Sequence, residues 1–140
     1  MLLHIVARGK IGRSSESDLV ERYLKRIQWP TKGSELPDRG GKIPDAVPQM
    51  KTVMLDETGR TLSSTELADI LARWRDDGVR ETRFLIGAAD GFDDADRADA
   101  DLLLSFGRAT WPHLLARAML AEQLYRATSI LAGHPYHREG

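Results

Sequence analysis

Apolar and polar residues come in alternating blocks along this chain, and the blocks predict strands and helices in turn. Leu2 to Ala7 carries Ile5 and Val6, is bounded by Gly9 and Gly12 after it, and predicts a buried strand. From Glu16 to Gln28 the apolar positions Leu19, Val20, Tyr23, Leu24 and Ile27 fall on one helical face, and Trp29-Pro30 ends it. Thr31 to Gln49 reads as an exposed loop; with Pro30 it holds four of the six prolines, beside Gly33, Gly40 and Gly41. Thr52 to Leu55 predicts a second strand, and Asp56 to Arg60 a turn at Gly59. Ser63 to Asp77 predicts a helix: Ser63 and Glu66 match a capping box, Leu67, Ile70, Leu71 and Trp74 form its inner face, and Gly78 stops it. A third strand over Thr82 to Ile86, a short helix over Asp93 to Ala100 and a fourth strand over Leu102 to Phe106 follow. Alternating strands and helices predict an α/β fold, a mainly parallel sheet flanked by helices.

The last helix departs from the amphipathic pattern. From Pro112 to Gly133, Leu114, Leu115, Ala118, Met119, Leu120, Leu124, Ile130 and Leu131 cover more than one stripe. Such a helix needs cover on more than one side, and a chain this small has little to spare, so a partner subunit is expected. A tail dense in His134, Pro135, Tyr136, His137 and Arg138 follows.

Composition adds bounds. A chain of 140 residues predicts one domain, 1–140, with a modest core. No apolar run is long enough to span a membrane, and no secretory signal is visible. The absence of cysteine excludes disulfides, thiolate metal sites and a cysteine nucleophile, and fits a cytoplasmic location. A formal net charge of −1 does not advertise nucleic-acid binding, so any RNA contact must come from a local basic patch.

Three loops follow the second, third and fourth strands, where ligands sit in parallel α/β sheets. They contain Leu55, Gly87 to Gly91, and Phe106 to Trp111. Their glycines either admit a ligand close to the backbone or simply turn strand into helix, and the sequence alone leaves both readings open. A dinucleotide fold requires Gly-x-Gly-x-x-Gly after the first strand, which Gly9-Lys10-Ile11-Gly12 lacks; no P-loop occurs either. In the tail, arginine can grip phosphate and tyrosine or histidine can stack on an unpaired base. Arg117 reads as solvated or dimer-bridging, and His113 as a structural donor or pocket edge. His134 and His137 have no cysteine or paired carboxylate beside them, so no metal is expected. Asp90, Asp93, Asp94, Asp96, Asp99 and Asp101 read as a solvated helix face.

Several strings carry a family resemblance: QLYRA, S-I-x-x-x-H-P-Y-H-R-E, LIGAADGF, LLHIVARGK, TVMLDETG and RATWPH, in that family's order. They resemble the ribosomal RNA large subunit methyltransferase H family of the SPOUT group. The resemblance implies a knotted (trefoil) fold, a homodimer, and S-adenosyl-L-methionine as cofactor. It implies cofactor binding by Leu55, Gly87, Phe106, Gly107, Arg108, Ala109, Thr110 and Trp111. It implies acceptor-side roles for Tyr136, His137 and Arg138, with His137 and Arg138 as candidates for helping the acceptor nitrogen lose its proton. Arg126, His134, Arg39 and Lys42 become candidates for RNA contact. The family's Gly-Gly-Pro-Glu-Gly is Gly87-Ala88-Ala89-Asp90-Gly91 here, and Trp111 stands where an aliphatic residue is more usual.

The implied activity is methylation of N3 of a pseudouridine in 23S rRNA on the assembled ribosome. The alternatives are a SPOUT methyltransferase for another RNA target, separable by mapping the methylated nucleotide, and a non-catalytic RNA- or ribosome-binding dimer, separable by calorimetry with the cofactor.

Overall fold

The computed structural model describes residues 1–88 and 91–138. The elements run β1 (Leu2–Arg8), α1 (Ser15–Arg26), β2 (Thr31–Leu36), β3 (Met50–Thr61), α2 (Ser64–Asp76), β4 (Glu81–Ile86), α3 (Asp94–Ala98), β5 (Leu102–Ser105) and α4 (His113–Leu131). The strands form one sheet in the order β2-β1-β4-β3-β5, and every neighbouring pair is parallel. The expected α/β class and parallel sheet are therefore present.

Alternation along the strands divides the core between the two faces of the sheet. Leu3, Ile5 and Ala7 of β1, Val53, Phe84, Ile86, Leu102 and Leu104 pack with Leu67, Ala68 and Leu71 of α2 and Leu120, Ala121, Leu124 and Ala127 of α4. Val6, Met54 and Leu85 face the other way, toward Phe92, Ile43 and Ala100. The helix starts follow side-chain capping: Ser14 accepts the Ser17 amide at 3.0 Å, and Ser63 and Glu66 form the expected reciprocal box.

The structure corrects four readings. Thr31–Leu36 is a strand, not loop; its TKGSEL sequence lacks an apolar run because β2 is an edge strand with largely exposed side chains. Gly59 does not end β3. Residues 56–59 bulge out between two registers with β5, Leu55↔Leu104 and Arg60↔Leu104, and the strand then resumes. A Cβ at Gly59 would lie 2.6 Å from the Leu103 carbonyl, so the residue serves a close backbone approach. Arg117 is buried rather than solvated. Asp101 is more than a solvated acid, because its Oδ2 accepts the Thr52 amide at 2.7 Å.

The cover of α4 comes largely from its own chain. Its buried side chains include Ala118, Leu120, Ala121, Leu124 and Ala127, while Leu114, Leu115, Met119, Ile130 and Leu131 are only half-buried. Folding thus buries one broad face and leaves a second partly open.

Candidate active site: a cavity at the carboxyl edge of the sheet

The parallel strands end on one edge, and the bulge of β3 together with the loops leaving β4 and β5 encloses a cavity of about 700 Å³ there. That volume suits a cofactor-sized ligand. Leu55, Gly87, Phe106, Gly107, Ala109, Thr110 and Trp111 line it, as does His113 at the start of α4. Arg108 is exposed on the same loop and is not part of the lining. Ala89 and Asp90 of the altered glycine loop, and Glu139 of the tail motif, lie outside the described residues.

Local chemistry explains the shape. Gly107 adopts φ +112, a conformation that side chains resist, so the chain turns sharply after β5. Buried Ser105 fixes that turn: its Oγ accepts the Gly107 amide at 3.0 Å and lies 2.9 Å from the Gly107 carbonyl. At Gly87 a Cβ would meet the Phe92 ring at 3.1 Å and the Gly91 backbone at 3.3 Å. A larger residue there would press on the cavity wall. The bulge of β3 adds Asp56 and Glu57 to the lining.

The sequence reading passed over Asp56, Glu57 and Arg97. The Asp56 side chain, only 6% exposed, pairs with Arg97 of α3 and accepts the Thr58 amide at 2.9 Å and hydroxyl at 2.8 Å. Burial by itself would raise its pKa, but the Thr58 and Arg97 contacts outweigh it and hold the group below its ordinary value. The Thr110 hydroxyl donates to Glu57 Oε2 at 3.3 Å, joining two walls of the cavity. Arg97 sits within the acidic run, which drew attention from the one cation among those acids.

The tail forms a separate cluster. Glu122 Oε1 accepts from Arg126 Nε at 2.9 Å, from another Arg126 guanidinium nitrogen at 2.6 Å and from the Tyr136 hydroxyl at 3.1 Å. The Arg126 guanidinium lies 4.8 Å from the Tyr136 ring centroid, and Tyr125 packs on the same ring at 4.5 Å. Arg126 also lies 3.1 Å from His137 Nδ1. Arginine only donates, so Nδ1 accepts and a neutral His137 ring carries its proton on Nε2. Burial, then Glu122, pushes the Tyr136 phenol from 10.0 up to about 12. Arg126 is thus engaged inside its own protomer. His134 Nδ1 accepts the Tyr136 amide at 3.2 Å, and Arg138 is exposed.

Arg39 and Lys42 lie on a third feature, the loop after β2. Arg8 donates to the carbonyls of Pro37 (3.2 Å), Gly40 (2.7 Å) and Gly41 (3.1 Å) and anchors that loop. Arg39 is exposed, and Lys42 pairs with Asp45 at 3.2 Å. The structure therefore gathers seven of the eight expected cofactor residues, whereas the tail and the Arg39 loop lie apart from them. Among the described residues, no three His, Asp or Glu side chains group to hold a metal ion, and no helix is long and apolar enough to cross a membrane.

A family model described as "Predicted SPOUT methyltransferase" matches residues 1–137. The chain belongs to this SPOUT methyltransferase family. A relative from Rhizorhabdus wittichii named "Ribosomal RNA large subunit methyltransferase H" is 71% identical over 140 residues, spanning all of both chains. Two solved structures share the fold of this chain at low identity. One is a probable methylase family protein from Haemophilus influenzae, with TM-score 0.63 and 10% identity over 98% of this chain and 70% of that one. The other is the SpoU methyltransferase AviRb from Streptomyces viridochromogenes in complex with AdoMet, with TM-score 0.53 and 12% identity over 95% of this chain and 61% of that one.

Proposed function

We propose that this SPOUT family member is a cytoplasmic, S-adenosyl-L-methionine-dependent rRNA methyltransferase. Its target in this proposal is N3 of a pseudouridine in 23S rRNA, methylated on the assembled ribosome by a knotted homodimer. The observation that carries the reading is the cavity at the carboxyl edge of the sheet, walled by the bulge of β3 and the loops after β4 and β5. The names of the full-length relatives support large-subunit rRNA as the substrate.

The residues fit the donor. The Gly107 turn leaves backbone open to it, Leu55, Ile86 and Phe106 supply apolar wall, and Glu57 supplies negative charge facing a cationic ligand. When bound, the cofactor supplies a methyl group already activated on sulfonium, so the protein needs neither a metal nor a covalent nucleophile. The chain must align the acceptor, exclude water and help an imide nitrogen lose its proton. Arg138 as a cation and His137 as an Nε2–H donor, its Nδ1 being held by Arg126, are assigned to favouring that proton loss by stabilising the anion it leaves, and Tyr136, neutral at working pH, to packing and hydrogen bonding. Arg126 and His134 hold the tail in shape, and Arg39 and Lys42 face RNA from the anchored loop.

Geometry supports a shared site. Tyr136 and His137 are tied to Glu122 and Arg126, while His113 and Ala116 at the other end of α4 line the cavity. Nine residues of helix between His113 and Glu122 are about 14 Å, and none of the described tail residues lines the cavity of its own chain. Reacting atoms must meet within about 3.5 Å. A tail that serves methyl transfer therefore serves the cavity of a second copy, and the half-open face of α4 supplies a surface for pairing.

The test is methyl transfer to ribosomes lacking the modification, with the methylated nucleotide mapped. Gly87→Trp and Arg138→Ala are both expected to abolish transfer, and calorimetry is expected to show cofactor binding lost only in Gly87→Trp. Methylation at another nucleotide would redirect the proposal. Wild type that binds no cofactor would end it.

A further inference from the structure

Arg97 is the only arginine or lysine among the described residues that line the cavity. Its side chain is 33% exposed, and two acids hold it. Its Nε donates to Asp56 Oδ2, and another guanidinium nitrogen donates to Asp94 Oδ1 at 2.9 Å. The two partners are unequal. The Asp56 side chain is nearly out of water and is itself fixed by Thr58, whereas the Asp94 side chain is fully exposed, where an ion pair contributes little. The cavity wall thus carries a guanidinium anchored on one side by a buried acid and exchangeable on the other. Glu57 is the remaining acid of the wall. Two carboxylates and one guanidinium leave the described lining with one formal negative charge, His113 not counted.

We propose that Arg97 determines specificity for the amino-acid end of the cofactor by receiving its carboxylate. This rests on the S-adenosyl-L-methionine reading above. That molecule carries a carboxylate, an ammonium and a sulfonium, one positive charge in total, and so complements the charge of the lining. Asp56 and Glu57 suit its two cations but repel its carboxylate. A carboxylate taken out of water needs a charged or hydrogen-bonding partner, and Arg97 is the permanently charged cation in that wall. A guanidinium has five N–H donors in a planar fork that matches a carboxylate, enough for Asp56, Asp94 and a third acid. Asp56 orients the fork before a ligand arrives, which lowers the ordering cost of binding.

A guanidinium that only neutralises Asp56 would support every ligand of the cavity alike, and this separates the two roles. Calorimetry on the full-length protein compares S-adenosylhomocysteine, its decarboxylated analogue, which keeps the ammonium, and 5′-methylthioadenosine, which has neither charge. Wild type is expected to bind S-adenosylhomocysteine at least about tenfold more tightly than the decarboxylated analogue. Arg97→Met is expected to weaken S-adenosylhomocysteine about 10- to 50-fold. The same variant should change 5′-methylthioadenosine by less than about threefold, and the decarboxylated cation should hold or gain affinity once the guanidinium is gone. Arg97→Lys, a point charge without the fork, is expected to recover part of the loss. Equal loss of all three ligands in Arg97→Met would make the arginine a wall support and overturn the assignment. Unchanged S-adenosylhomocysteine affinity in that variant would overturn it too, as would a wild type indifferent to the carboxylate. A wild type that binds none of the three would remove the cofactor reading itself.

Discussion

The Arg117 guanidinium, buried near the start of α4, donates to Glu35 on the edge strand β2 at 2.8 Å. The same side chain reaches the Gly9 carbonyl at 3.2 Å, and Glu35 also accepts the Ile11 amide at 2.7 Å. One ion pair thus ties the loop after β1, the edge strand and the helix that borders the cavity. Hydrogen bonds to charged groups contribute about 1.5–3 kcal/mol, and Glu35 remains partly hydrated, so Arg117→Met is expected to cost roughly 2 kcal/mol. Urea denaturation measures it. An unchanged midpoint would show that the pair contributes nothing.

A glycine inside β3 is expected to be irreplaceable for steric reasons. At Gly59 an added Cβ would meet backbone atoms of Leu103 at 2.6 Å, and backbone cannot step aside as a side-chain tip can. Gly59→Ala is expected to destabilise by about 1–3 kcal/mol, the usual range for overpacking. Because Asp56 and Glu57 of the same bulge line the cavity, cofactor binding should weaken with it. Thermal denaturation and calorimetry on the same sample check both.

Acid should act on Asp56. Its folded pKa lies below the ordinary 3.8, so the ionised group favours the fold above that value and the contribution is lost as pH falls through the depressed folded value. The stability gap between wild type and Asp56→Asn is expected to be full at neutral pH and to close below 3.8. Equal gaps at neutral and acid pH would contradict the assignment.

Alkali should act on Tyr136. Burial and Glu122 raise the phenol from 10.0 to about 12, so the neutral form favours the fold below 10.0 and that contribution disappears as pH rises through about 12. Phenolate absorbance should show a late phase that Tyr136→Phe removes. A wild type without the late phase would contradict the burial of the ring, and a late phase that persists in Tyr136→Phe would belong to another group.

What the sequence made legible follows its physics. Periodic apolar positions identified α1 and α2, and continuous apolar runs β1, β4 and α4, because buried elements must fill their core face. β2 escaped, since an edge strand such as TKGSEL has no such face to repeat. Glycines marked the cavity loops, yet Gly59 read as a turn because a close backbone approach leaves no local trace. Arg117 read as solvated or dimer-bridging and Arg97 carried no reading at all, because their partners Glu35 and Asp56 are distant in sequence. The tail residues were visible as a group, but their anchoring to Glu122 and Arg126 needed the fold.

The most direct measurement is methyl transfer by mixed dimers, in which one subunit carries Gly87→Trp and the other Arg138→Ala. Each variant alone is expected to be inactive. A verified mixed dimer keeps one intact cavity facing one intact tail, and is expected to regain about half of the wild-type transfer per dimer. Mixed dimers as silent as either parent would contradict a site shared between two copies.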